Sequence, residues 1–196
     1  MHYSLQGPDL PLTEFSLPEL RLWYPMNGYE QELIVPQDTV EFLKQRAVEH
    51  EVGHLVVAAH HKAVLFGIGL GFLPERGIGS FFIQAVYGWE NCPTETQCVV
   101  AAAGPAADLL YLGSIDEQAA SGDLADIERM SGSRSLEPHL TAAKEILLKY
   151  SKEMKWASDL LRKELTAGME RSFEPLPNGR LVAMLVDAQQ LSACPY

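Results

Sequence analysis

His50-Glu51-Val52-Gly53-His54 reads H-E-x-x-H within a stretch of helical spacing. A helix turns about 100° per residue, so side chains four apart share one face, about 6 Å apart along the axis. Two imidazoles set that way can occupy adjacent corners of a tetrahedron around one Zn²⁺. A glutamate one step round the helix can reach a water on that ion and take its proton. These are the parts of metal-assisted hydrolysis, with His50 and His54 as metal ligands and Glu51 as the catalytic base. The competing reading is a solvent-facing helix that carries two histidines by accident. Context argues against it, because Val40, Leu43, Ala47, His50, His54 and Val57 recur three or four apart. The histidines therefore lie along the apolar stripe that faces the interior. Neighbouring buried imidazoles without a partner are costly, and a metal supplies the partner.

Several elements must position this motif. Asp38-Thr39-Val40-Glu41 reads as a capping box, which predicts a helix from Asp38 to His61. Gly53 weakens that helix by about 1 kcal/mol relative to alanine, so its place there points to close approach of another backbone segment. Residues 64–70 and 80–87 are rich in β-formers and flank a turn at Pro74-Glu75-Arg76-Gly77, predicting a hairpin. No helix follows Gly67-x-Gly69-x-Gly71 in the place a dinucleotide loop requires, so these glycines mark bends or a close strand approach. Thr94-Glu95-Thr96-Gln97 reads as a second capping box, opening an alanine-rich helix to Leu110 that Pro105 should kink. A loop over residues 114–122 leads to a third helix near Asp123, and a long amphipathic helix runs from Pro138 to Leu165. The apolar run Leu181 to Val186 is expected to be helical. Residues 1–37 form a proline-rich arm, with residues 20–24 and 32–35 as candidate short strands, and residues 38–196 form the main domain. The expected fold is mainly α with a small β-hairpin or sheet. Its zincin-like H-E-x-x-H helix packs with the alanine-rich helix and the long C-terminal amphipathic helix.

Composition narrows the function classes. A chain of 196 residues with 47% hydrophobic and 21% charged residues is ordinary for a globular domain with a core of its own. A net charge of −11 argues against nucleic acid as a partner, since phosphates require a basic surface. The longest near-continuous apolar stretch, Ala63 to Leu73, is about half the ~20 residues of a spanning helix, so no membrane span is expected. No basic segment followed by an apolar run opens the chain, and Cys92, Cys98 and Cys194 lack metal-ligand spacing. The expectation is a cytoplasmic protein with ordinary thiols.

A catalytic zinc site needs a third protein ligand, leaving the fourth position for water. His61 shares the face of His54 but lies about 10 Å further along the axis, and His60 has the same defect. His2 and His139 stand in contexts that give no geometric argument. Among carboxylates, Asp108 and Asp123 are the candidates. Asp123 opens a helix after a loop, where a carboxylate is also common simply as a partner of the helix dipole. The alternative role for Asp108, in the alanine-rich helix, is to orient a ligand imidazole through its second nitrogen.

The order of these features resembles the protease domain of the FtsH family, the membrane-anchored AAA+ zinc proteases. That family carries H-E-x-G-H on a helix, then a β-hairpin, then an alanine-rich helix similar to Gly104-Pro105-Ala106-Ala107-Asp108-Leu109-Leu110. A Ser-Asn-Asp-Leu segment follows, whose aspartate is the family's third zinc ligand. Ser121-Gly122-Asp123-Leu124 stands at the matching place, so the resemblance implies Asp123 as the third ligand. Ala142-Ala143-Lys144-Glu145-Ile146-Leu147-Leu148 resembles the family's long final helix, and the similarity spans about residues 38–190. The chain departs from the family in having no P-loop, no AAA+ module and no membrane anchor, and in Gly-Pro-Ala-Ala-Asp-Leu where the family has Gly-Arg-Ala-Ala-Glu-Glu. The resemblance thus leaves room for a homo-oligomer and for a separate ATPase partner.

These readings combine into a Zn²⁺-dependent metalloendopeptidase that hydrolyses unfolded polypeptide or peptide substrates. A hairpin strand, around residues 64–70 or 80–87, could pair with the extended substrate, with Phe66 and Ile68 as the candidate residues. The alternative is a catalytically silent FtsH-protease-like binding or assembly module.

Overall fold

The computed structural model describes residues 20–26, 29–35, 37–72, 81–117, 119–132, 135–166, 171–172, 174–175 and 181–195. In chain order the elements are β1 (Leu20–Met26), β2 (Tyr29–Val35), α1 (Gln37–Arg46), α2 (Val48–His60), β3 (Val64–Phe72) and β4 (Phe81–Gly88). Then follow α3 (Thr94–Ala101), α4 (Ala103–Tyr111), α5 (Ser121–Ser131), α6 (Glu137–Lys149) and α7 (Ser151–Thr166). The chain closes with β5 (Arg171–Ser172), β6 (Glu174–Pro175), β7 (Leu181–Asp187) and α8 (Ala188–Ser192). The fold is mainly α with a small antiparallel sheet.

The motif helix α2 is the axis of the molecule. Val48, Val52, Leu55, Val56 and Val57 are buried on it together with both motif histidines. An α-helix that is apolar nearly all round must be enclosed. β3 and β4 lie on one side of α2, and α4 and α7 on others. Each fully buried valine contributes about 1.5–3 kcal/mol relative to exposure. Buried Glu49 of α2 pairs with Arg162 of α7, fixing α2 lengthwise.

Three long helices expected from sequence are each divided. The Asp38–His61 helix breaks into α1 and α2 at Ala47, whose φ of −108° and ψ of −19° leave ideal helix while hydrogen bonds continue through it. α1 starts at Gln37, and Glu41 accepts from the side chains of Gln37 and Lys44 at 2.8 Å instead of closing a capping box. The alanine-rich helix breaks between α3 and α4. Pro105 has no N–H to give Ala101, and its ring crowds that carbonyl, so α3 ends at Ala101. The box read at Thr94 does not form either, since Pro93 is the N-cap and Gln97 donates to the Cys92 carbonyl at 2.9 Å. The C-terminal helix breaks into α6 and α7 at Tyr150, whose ψ is 34°. Among the described helices, a complete capping box joins Asp187 and Gln190 at α8.

Leu181 to Val186 is strand, not helix. A short apolar run carries no periodicity that separates the two, and here the open edge of β3 decides. β7 pairs antiparallel with that edge, giving the order β4-β3-β7-β6. At the bulge after Leu65, Gly67 has a φ of +138°, and a Cβ there would collide with the Val186 carbonyl. Only glycine suits that position. A second sheet, β2-β1-β5, pairs residues 20–26 antiparallel with 29–35, and β1 parallel with β5 from the C-terminal stretch. Pro74 to Gly77 and residues 1–19 lie outside the described residues.

Gly53 sets the distance between α2 and α4. A Cβ on it would stand 2.8 Å from both the Ala103 carbonyl oxygen and the Ala107 methyl. This is the close approach that a mid-helix glycine implies. Gly53→Val should lower the free energy of unfolding by about 2 kcal/mol, because the core must be forced apart. Urea titration would check it, and an unchanged midpoint would contradict the packing described.

Candidate metal centre

α2 presents His50 and His54 side by side, with ring centroids 4.9 Å apart and planes at 73°. Each ring is gripped from behind. His54 Nδ1 lies 2.7 Å from the Val100 carbonyl oxygen on α3. A carbonyl only accepts, so Nδ1 carries hydrogen and donates. His50 Nδ1 stands 3.0 Å from Oδ2 of Asp108, which is fully buried on α4, and it donates to that carboxylate in the same way. Both rings therefore turn their Nε2 atoms towards one place.

Asp123 occupies that place. It sits in the first turn of α5, with Ile127 one turn on buried as an anchor. Its Oδ2 is 3.0 Å from His50 Nε2 and its Oδ1 is 3.4 Å from His54 Nε2. The three ligand atoms lie within 4.8 Å of one another, so His50, His54 and Asp123 form a group that could hold a metal ion. Ligands at about 2.0–2.1 Å from a tetrahedral ion are about 3.3 Å apart, close to the two separations from Asp123.

α4 keeps the space open. Gly104 and Asp108 are four residues apart on it and face α2 together. A Cβ on Gly104 would collide with His50 Nε2 and stand 2.5 Å from His54 Nε2. Any larger residue would fill the point where the two nitrogens converge. The donor set of two imidazole nitrogens and one carboxylate, backed by acceptors at both Nδ1 atoms, matches what zinc takes.

The electrostatics fit a site built for positive charge. Burial opposes the charged form of His50, but Asp108, Asp123 and Glu51 outweigh it and hold the imidazole up to about 10. His54 is raised as well, burial being overcome by Asp123 and Glu51. Burial pushes Asp123 upward, yet His54 and His50 prevail and bring it down to about 2. The Asp123 carboxylate thus lies between two imidazoles and raises the affinity of both for positive charge. Glu51 is raised above the usual carboxylate range by burial, only partly countered by His54, His50 and the Ala85 amide. That amide donates to Glu51 Oε2 at 2.7 Å.

The substrate strand expected at Phe66 and Ile68 needs correction. From Gly67 to Phe72, β3 is paired along both edges, by β4 and β7, which takes the backbone around Ile68, while Phe66 lies at the bulge and is in neither register. Ile68 is fully buried in the core, while Phe66 is half exposed. β4 is an edge strand of this sheet among the described residues, and its Ala85 N–H points to Glu51. The other histidines stand apart from the centre. His60 meets Tyr150 at 3.2 Å, its ring lies 5.0 Å from that of His61, and His139 faces Glu95 at 3.3 Å. His2 lies outside the described residues. Sequence reasoning missed the Val100 carbonyl and the Ala85 amide, which are backbone groups with no residue signature. It also missed the cradle at Gly104, although a glycine beside a proline within an alanine-rich helix could have pointed to it.

Compared with known protein families, curated proteins and solved structures, the chain matches none. Among the described residues, no helix is long and apolar enough to cross a membrane.

Raised imidazole pKa values make metal and proton competitors. His50 holds a proton at pH 7 that an ion must displace, and His54 binds its proton more tightly than a free imidazole, so Zn²⁺ uptake should release at least one proton. Affinity should climb with pH until about 10, where His50 loses its proton unaided. Calorimetry in buffers of differing ionisation enthalpy would measure the release. Uptake without proton release would contradict this electrostatic description.

Proposed function

We propose that this chain is a zinc-dependent endopeptidase of the FtsH-protease kind, acting on unfolded polypeptides and peptides. The observation that carries this reading is the convergence of His50 Nε2, His54 Nε2 and the Asp123 carboxylate on one point beside Glu51. Kinship with the FtsH protease domain rests on H-E-x-G-H followed by S-x-D-L, and the meeting of Asp123 with the histidine pair supports it. The zincin-like arrangement is part of the same proposal. The free thiols Cys92, Cys98 and Cys194 support a cytoplasmic setting.

His50, His54 and Asp123 would hold the ion, which when bound supplies Lewis acidity to the scissile carbonyl and to the attacking water. Asp108 and Val100 keep the rings aimed. Glu51 accepts a proton from the attacking water and passes it to the departing amine. Burial has already raised its pKa, which brings a carboxylate closer to the proton affinity such a shuttle needs. An extended substrate would lie along the β4 edge, where Ala85 N–H is aimed at the base in the substrate-free state.

Glu51→Gln should leave zinc content unchanged and slow hydrolysis of labelled unfolded casein by about 10²–10⁴-fold. Asp123→Ala should lose the zinc as well as the activity. Metal analysis beside the protease assay reads both. Zinc bound by a wild type that cleaves nothing would overturn the peptidase reading in favour of a silent binding module.

A further inference from the structure

Strand β4 also carries a tyrosine on the face it turns towards α2. Ile83 and Ala85 are buried and Gln84 is exposed, so residues 83, 85 and 87 turn towards α2. Ala85 is held beside Glu51 by the hydrogen bond its backbone N–H donates to Glu51 Oε2. Tyr87 is the next residue on that face, about 7 Å along the strand. Its ring is half-buried and stands edge-on to Trp89, with centroids 5.3 Å apart. That contact holds the ring at the C-terminal end of the β4 edge.

We propose that the Tyr87 phenol donates a hydrogen bond to the scissile carbonyl oxygen as it becomes an oxyanion. The proposal rests on the peptidase reading above and adds a catalytic residue to it. Burial, with the carboxylates of Asp123 and Glu51 nearby, pushes the phenol pKa upward. Tyr87 therefore stays a neutral donor at any pH at which the site works. A preorganised O–H aimed where negative charge develops stabilises the transition state more than the ground state.

The step balances without an outside reagent. The water oxygen bonds to the carbonyl carbon, the C=O π pair moves onto the carbonyl oxygen, and the water proton goes to Glu51. The oxyanion then collapses, the C–N bond breaks, and Glu51 returns its proton to the amine nitrogen. Tyr87 keeps its own proton throughout.

The test is Tyr87→Phe in the full, zinc-loaded chain, which retains the ring and its contact with Trp89. A quenched fluorogenic peptide taken from the casein cleavage products serves as substrate. The expected result is a kcat lower by about 100-fold, with KM within about twofold and with zinc content and melting temperature unchanged. A tetrahedral phosphinic analogue of that peptide should bind more weakly by a similar factor. A variant whose kcat stays near wild type overturns the role of Tyr87 and leaves the peptidase reading intact. A fall in kcat accompanied by loss of zinc or of fold overturns it too, because the tyrosine would then be structural. A zinc-loaded wild type without turnover defeats the peptidase reading, and this proposal with it.

Discussion

Two acceptors behind the motif helix decide what its histidines can do. The Val100 carbonyl and the Asp108 carboxylate each take an Nδ1 hydrogen, which leaves both Nε2 atoms facing forward. A free imidazole exchanges tautomers readily, but these two cannot do so without stranding a buried acceptor. The positions of α3 and α4 around α2 can be understood as the means of delivering those acceptors. Asp123 then completes the group from α5, with one oxygen for each ring.

Small residues make this delivery feasible. Gly53 lets α4 approach until Ala103 and Ala107 touch α2, and Gly104 spares the volume in front of the imidazoles. Both glycines weaken their helices, so local stability yields to close approach at the centre. On the opposite side, β4 closes over Glu51 through the Ala85 amide. The base thus sits between a sheet edge and a pair of imidazoles, in surroundings that raise its pKa.

Much of this arrangement could be read from residue order. Helical period alone placed His50 and His54 on the inward stripe of a helix, because spacing along one helix is a local property. The hairpin was legible as two runs of β-formers flanking a cluster of turn residues. Asp123 required comparison with a family pattern, since nothing local separates a helix-capping carboxylate from one that reaches a distant pair of rings. The helix breaks at Ala47 and Tyr150 carry no proline or glycine to announce them. Strand β7 was hidden because a six-residue apolar run suits either secondary structure until a sheet edge claims it. The same edge, once filled, takes the backbone around Ile68 away from substrate pairing, which only the pairing of the whole sheet could reveal.

The central claim is that one divalent ion is held between α2 and α5. Diffraction data from zinc-loaded crystals, collected on both sides of the zinc absorption edge, test it most directly. The account predicts a single anomalous peak about 2.0–2.2 Å from His50 Nε2, His54 Nε2 and an Asp123 oxygen. Zinc located elsewhere on the chain, with the Asp123 carboxylate still bonded only to the two imidazoles, would contradict it.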